Sequence, residues 1–175
     1  VADMVGGGLF GLPAGAFTDD TSMALCLAQS LVECGGFDPA DQLERYLRWI
    51  REGYMSSTGR AFDVGGTCAD AILTFEATRQ PYCGSTNPNS AGNGSIMRLA
   101  PVPLFFARDP QVAIEMSAAS SRTTHGARNA VDGCRYLGAL IVGAVGGASK
   151  EQLLSPRYTP APGLWERAPL ADAIR

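Results

Sequence analysis

Apolar residues recur at helical spacing along most of the chain, and nowhere do they alternate for long enough to predict a strand. Met23, Leu27 and Leu31 form one i, i+4 row, with Ala24, Ala28 and Val32 beside it, over a helix at 18–33 that Gly35-Gly36 stops. Asp38-Pro39 begins a second helix, with Asp as N-cap and Pro in the first turn. Leu43, Tyr46, Leu47 and Ile50 line one face of it, while Glu44, Arg45, Arg48 and Arg51 are polar. A third helix is predicted at 68–79, with Ala71, Ile72 and Phe75 inward. An apolar helical run at 96–106 is disturbed by Pro101 and Pro103. Asp109-Pro110 repeats the start signal, and Val112, Ala113, Met116 and Ala119 or Ser120 follow at helical spacing. The last long helix covers 127–145, through Ala127, Val131, Cys134, Leu137 or Gly138, and Ile141. One short helix fits 149–154, and Pro156, Pro160, Pro162 and Pro169 then argue against regular structure before Leu170.

The stretches between these helices are polar and glycine-rich. Residues 1–17 read as loop, and 56–67 carries Arg60, Asp63 and Gly65-Gly66. A polar loop at 81–93 is long for a compact domain, and such loops are often functional. Thr123-Thr124-His125-Gly126 interrupts the last two long helices. The expectation is an all-α single domain over 1–175, whose interhelical loops converge on one site.

Composition narrows the class. With 46% hydrophobic and 18% charged residues, the chain has enough apolar surface for a packed core. A net charge of −3 argues against a nucleic-acid-binding surface, and no charge run suggests a membrane patch. The start of the chain lacks the basic and apolar segments of a secretory signal. Residues 137–145 are too short to span a bilayer. Five cysteines without a C-x-x-C pair, and a single histidine, do not support a zinc site. Reduced thiols in a cytoplasmic protein are expected instead.

Thr18-Asp19-Asp20-Thr21 gathers hard oxygen donors at a helix start. By themselves the four residues favour helix capping and the helix dipole, although they also suit Mg²⁺ or Mn²⁺. In the second motif, 90–98, Gly92 and Gly94 let backbone N–H groups approach a ligand closely, as phosphate requires, although a plain helix-start loop has the same form. Asp63 reads as a cap or a ligand carboxylate, and His125 as a structural residue or a hydrogen-bonding partner for a ligand.

Taken in order, Gly15-Ala16-Phe17-Thr18-Asp19-Asp20-Thr21-Ser22-Met23, Phe62-Asp63-Val64-Gly65, Ser90-Ala91-Gly92-Asn93-Gly94-Ser95-Ile96-Met97-Arg98 with Pro101, and Thr124-His125 resemble the ADP-ribosylglycohydrolase family. The resemblance covers roughly residues 6–145. It implies an all-α fold, two divalent cations (Mg²⁺ or Mn²⁺), and hydrolysis of glycosidic bonds to ADP-ribose in a modified protein or small molecule. It implies metal ligation by Thr18, Asp19 and Asp20, and diphosphate and ribose contacts from Ser90, Gly92, Asn93 and Gly94. Asp63 corresponds to a carboxylate near the substrate ribose, His125 to a histidine near the phosphates, and Asp20 and Asp63 are the candidate catalytic carboxylates. The family's upstream acidic residue and downstream Asp-x-Asp-Thr motif have no counterpart, and no Asp-x-Asp occurs in the sequence. Gly66 stands where some members have Asn, and Ala16-Phe17 where Gln-Trp is common. The expectation is a domain incomplete at both ends that supplies about half of a two-metal site. An ADP-ribose-binding module or pseudoenzyme without turnover is the alternative.

Overall fold

The structure, a computed structural model, describes residues 3–156 and 158–174. Val1 and Ala2 of the expected first loop, and Arg157 in the expected irregular stretch, lie outside them. The described residues form helices and no strand, in agreement with the apolar periodicity. No helix among them is long and apolar enough to cross a membrane.

The chain runs through α1 (Asp19–Cys34), α2 (Pro39–Glu52), α3 (Gly66–Thr78), α4 (Gly94–Met97), α5 (Pro101–Phe105), α6 (Pro110–Arg122), α7 (Arg128–Val145), α8 (Lys150–Leu153) and α9 (Leu164–Arg167). The antiparallel-like pairing of α6 and α7 across the short 123–127 connection is the most extensive helix contact, and α1 packs on α2 and α5. Met23, Leu27 and Leu31 meet Leu43, Tyr46, Trp49, Ile72, Phe75, Leu99 and Val102 in the main core. A smaller cluster joins Ile114, Ala139 and Leu164.

Four expectations change. On α1, Val32 is 69% exposed, and the second buried row is Ser22, Cys26 and Ser30 instead. These polar positions are satisfied in place: the Ser22 hydroxyl donates to Thr18 O at 3.0 Å, and the Cys26 thiol to Arg45 O at 3.7 Å. Arg45 is not on a solvated face but buried, held by Glu33 at 2.5 Å and Asp41 at 2.6 Å. The 96–106 run divides into α4 and α5 because Pro101 starts a new helix after a break at residues 98–100. In the 155–169 stretch, α9 forms ahead of Leu170, since burying Leu164 against Ile114 and Ala139 outweighs weak local propensity.

Candidate active site

Two loops are tied together at the start of α1. The backbone N–H of Phe17 donates to Ser57 Oγ at 3.1 Å, and the Ser57 hydroxyl donates back to Phe17 O at 2.6 Å. Phe10 stacks edge-on against Phe62, with ring centroids 5.4 Å apart. These contacts hold the first turn of α1 beside the loop that carries Asp63. Asp63 itself has φ 60°, a left-handed conformation that Asp adopts more readily than most residues.

A second tie joins the 81–93 loop to the α6–α7 connection. Gly84 N–H donates to Arg122 O at 3.1 Å, and Gly126 N–H to Ser85 O at 3.0 Å. The two backbones cross so closely that a Cβ on Gly84 would lie 2.5 Å from His125 N and 2.6 Å from Gly126 N. Only glycine fits there. The crossing places His125 under the next turn. Its Nε2 lies 3.3 Å from where a Cβ on Gly92 would be, and its Cε1 lies 3.3 Å from the same point on Gly94.

The outcome is one open cleft of about 360 Å³, walled by Asp19, Asp20, Asp63, Gly92, Asn93, Gly94 and His125. Thr18 and Ser90 are not among its lining residues. Thr18 takes the N-cap position of α1 but its side chain makes no capping hydrogen bond. Ser90 ends a 3₁₀ turn (Pro88–Ser90), and its carbonyl accepts from Gly92 N–H at 2.9 Å, tightening the turn. That amide therefore serves the loop itself. Gly65, Gly66 and Met97, which the quoted motifs include, also line the cleft, together with Thr67 and Cys68, for which no ligand role was expected.

The electrostatics of the cleft are strained. Burial, then the charges of Asp20 and Asp63, push the Asp19 carboxyl up; bonds from the Asp20 backbone and the Thr18 side chain oppose this. Burial and Asp63 likewise push Asp20 up, opposed by the charge of Arg98. Burial, reinforced by Arg98, takes the His125 imidazole down to about 4, so it is neutral at pH 7.

Arg98 is the residue whose part the sequence did not disclose. It is fully buried. Its Nη2 donates to Thr124 Oγ1 at 2.6 Å, and its guanidinium carbon lies 4.9 Å from the centroid of the Tyr46 ring. The available signal was a permanent charge inside the apolar 96–106 run.

The all-helical fold is shared with a solved protein, and the sequence with a known family. The sequence model of the ADP-ribosylglycohydrolase family matches residues 1–175, and the chain belongs to that family. It is 40% identical over 162 residues to an ADP-ribosylarginine hydrolase Tri1 of Serratia proteamaculans, covering 93% of this chain and 44% of the relative. It is 44% identical over 156 residues to the protein of that name from Pseudomonas putida, covering 89% and 42%. An ADP-ribosyl-[dinitrogen reductase] glycohydrolase of Rhodospirillum rubrum is 33% identical over 147 residues, covering 82% and 46%. A solved ADP-ribosylglycohydrolase-related protein complex superposes with a TM-score of 0.78 at 42% identity, over 99% of this chain and 53% of that one. The chain spans less than half the length of these three curated relatives.

Proposed function

We propose that the whole protein is a metal-dependent hydrolase that cleaves the glycosidic bond between ADP-ribose and a protein side chain. Arginine is the favoured acceptor, because two similar relatives are ADP-ribosylarginine hydrolases. The observation that carries the reading is the cleft, lined by carboxylates from the first turn of α1 and the Asp63 loop together with a glycine turn backed by histidine. Such a cleft is polarised as ADP-ribose is, with groups for hydroxyls at one end and for a diphosphate at the other.

The donor set fits hard divalent cations, Mg²⁺ or Mn²⁺. Asp19 and Asp20 are adjacent oxygen donors whose carboxyls are both pushed up by burial and by neighbouring negative charge, a strain that a cation would relieve. Among the described residues no three His, Cys, Asp or Glu side chains form a metal-holding group. Thr18, Asp19 and Asp20 would then form one side of a two-cation site, with the other side supplied by the rest of the full-length protein. When bound, the cations supply charge stabilisation at the distal ribose and an acidified water.

In this reading Asp63 accepts hydrogen bonds from ribose hydroxyls, and Asp20 or Asp63 takes the proton from the attacking water. The turn holds the diphosphate at Asn93 and Gly94, with the Gly92 N–H to Ser90 O bond shaping it and His125 donating beside it. Five free thiols and a net charge of −3 support a protein of reducing cytoplasm rather than one that binds nucleic acid. The test is release of ADP-ribose from an arginine-modified protein with Mg²⁺ or Mn²⁺ added. No release by the full-length protein, together with metal binding unchanged by Asp19→Ala plus Asp20→Ala, would sink the reading.

The absence of a three-ligand group among the described residues favours a second reading for this chain by itself: a module that holds ADP-ribose without cleaving it. Calorimetry separates the two. Metal-independent ADP-ribose binding without turnover supports the module.

A further inference from the structure

Behind the glycine turn lies a line of donors that begins at a buried cation. Arg98 and Thr124 are fully buried, and His125 is 2% exposed. Arg98 takes part in no ion pair among the described residues. Its charge is met by the Tyr46 ring face, by Thr124 Oγ1 at 2.6 Å, and by longer contacts to Ser120 O at 3.4 Å, Thr123 Oγ1 at 3.5 Å and Cys68 Sγ at 3.7 Å. Its Nε has no hydrogen-bond partner. An unpaired buried guanidinium is costly, so its one short bond matters. That bond runs toward the cleft.

We propose that Arg98 is a positioning residue that acts through Thr124 to fix the His125 proton on Nε2, where it meets an oxyanion at the Gly92–Gly94 turn. The inference rests on the ADP-ribose reading for the identity of that oxyanion, a diphosphate oxygen. The polarity follows from counting hydrogens. A guanidinium only donates, so Thr124 Oγ1 accepts from Arg98. The hydroxyl retains one hydrogen of its own, and the His125 Nδ1 lies 2.9 Å away. Donation to Nδ1 makes that nitrogen an acceptor and leaves the neutral ring's proton on Nε2. The opposite tautomer would point Nδ1–H at the hydroxyl and strand the hydroxyl hydrogen in a fully buried place. The preference for Nε2–H is then about tenfold or more.

The other end of the ring agrees. Nε2 makes no hydrogen bond among the described residues and lies under Gly92 in the cleft wall. Each donor in the sequence Arg98, Thr124, His125 points outward, so each polarises the next. The cleft thus receives a neutral N–H that carries the influence of a charge it does not expose.

His125 is the single histidine of these 175 residues, and comparison with His125→Gln assigns its ring ¹⁵N signals. Long-range ¹H–¹⁵N spectra of the full chain near pH 7 are expected to show a protonated Nε2 and a bare Nδ1. Thr124→Val, which keeps the shape and removes the hydroxyl, is expected to lower that preference about tenfold. Thr124→Ser restores it, and Arg98→Lys gives an intermediate value because an ammonium still donates. An Nδ1–H ring in the unaltered protein, or a tautomer unchanged in Thr124→Val, overturns the proposal. ADP-ribose is the probe for the second half, expected to shift the Nε2–H signal and to bind about tenfold more weakly to Thr124→Val. An Nε2–H ring that ignores ADP-ribose but shifts with inorganic pyrophosphate supports the relay and overturns the ADP-ribose assignment alone. An Nε2–H ring that ignores both overturns the oxyanion contact.

Discussion

At the start of α2, Asp38 Oδ1 accepts from Ala40 N–H at 2.8 Å and Asp41 N–H at 3.0 Å. At the start of α6, Asp109 Oδ1 accepts from Gln111 and Val112 N–H, both at 3.1 Å. The start of α1 has the same kind of residues without such a cap: Thr18 makes no side-chain cap, and Asp19 and Asp20 line the cleft, Asp19 accepting from the adjacent Asp20 backbone and the Thr18 side chain. A carboxylate whose lone pairs hold its own helix serves the fold. Two that line one cleft with Asp63, with their carboxyls pushed up, remain available to a ligand. The proline makes the difference visible in sequence: Asp38 and Asp109 each precede one, and Asp19 and Asp20 do not.

The comparison is broken most directly by exchanging carboxylate for amide. Asp19→Asn and Asp20→Asn are each expected to lower ADP-ribose release by the full-length protein about 10²-fold or more, with circular dichroism unchanged. A residual activity near that of the unaltered protein would return both residues to a capping role.

Acid titration probes the opposite wall. The His125 imidazole is held at about 4 in the fold against its ordinary 6.5, so the unfolded chain binds a proton first as pH falls. The stability it contributes is complete above 6.5 and is lost progressively toward 4. Urea denaturation between pH 7 and 4 should therefore show a steeper acid loss for the unaltered protein than for His125→Gln. Equal slopes would contradict the burial of the ring.

Alanine at the two capping aspartates gives the complementary result. Asp38→Ala and Asp109→Ala should each cost about 1 kcal/mol of stability in denaturant titrations. Activity per folded molecule should stay the same. The smallest effect runs in the opposite direction. Because the Asp20 carboxyl is raised in the fold, its ionisation destabilises the metal-free protein as pH rises through the folded value. Asp20→Asn is expected to raise the melting temperature slightly near neutral pH without metal, solvent screening keeping the effect small. A lower one would mean that the helix dipole outweighs the burial and repulsion.

What could be read in advance was what local chemistry decides. The Asp-Pro starts, the Met23–Leu27–Leu31 row and the long helix ending at Val145 follow from spacing alone. Asp19, Asp20, Asp63, Gly92, Asn93, Gly94 and His125 also come together, because a helix start or a backbone crossing fixes each motif, while Thr18 and Ser90 stay outside the cleft lining. Arg45 was illegible because its burial depends on Glu33, twelve residues earlier on another helix. Trp49, fully buried, belongs to no predicted row, since α2 is covered on more sides than one apolar stripe implies. Arg98 draws its surroundings from Tyr46, Cys68, Ser120 and Thr124, on three separate parts of the chain. No spacing rule contains that information.

The left-handed backbone at Asp63 has a consequence for how this loop is to be dissected. At φ 60° a residue without a short polar side chain is disfavoured by about 1–2 kcal/mol relative to the ordinary region. An alanine scan across 56–67 would therefore mix two signals at this position, the missing carboxylate and a loop that has relaxed. Asparagine keeps the backbone preference and removes only the charge; glycine keeps the conformation and removes the whole side chain. A defect that alanine shows and glycine does not is a property of the loop's shape rather than of its chemistry.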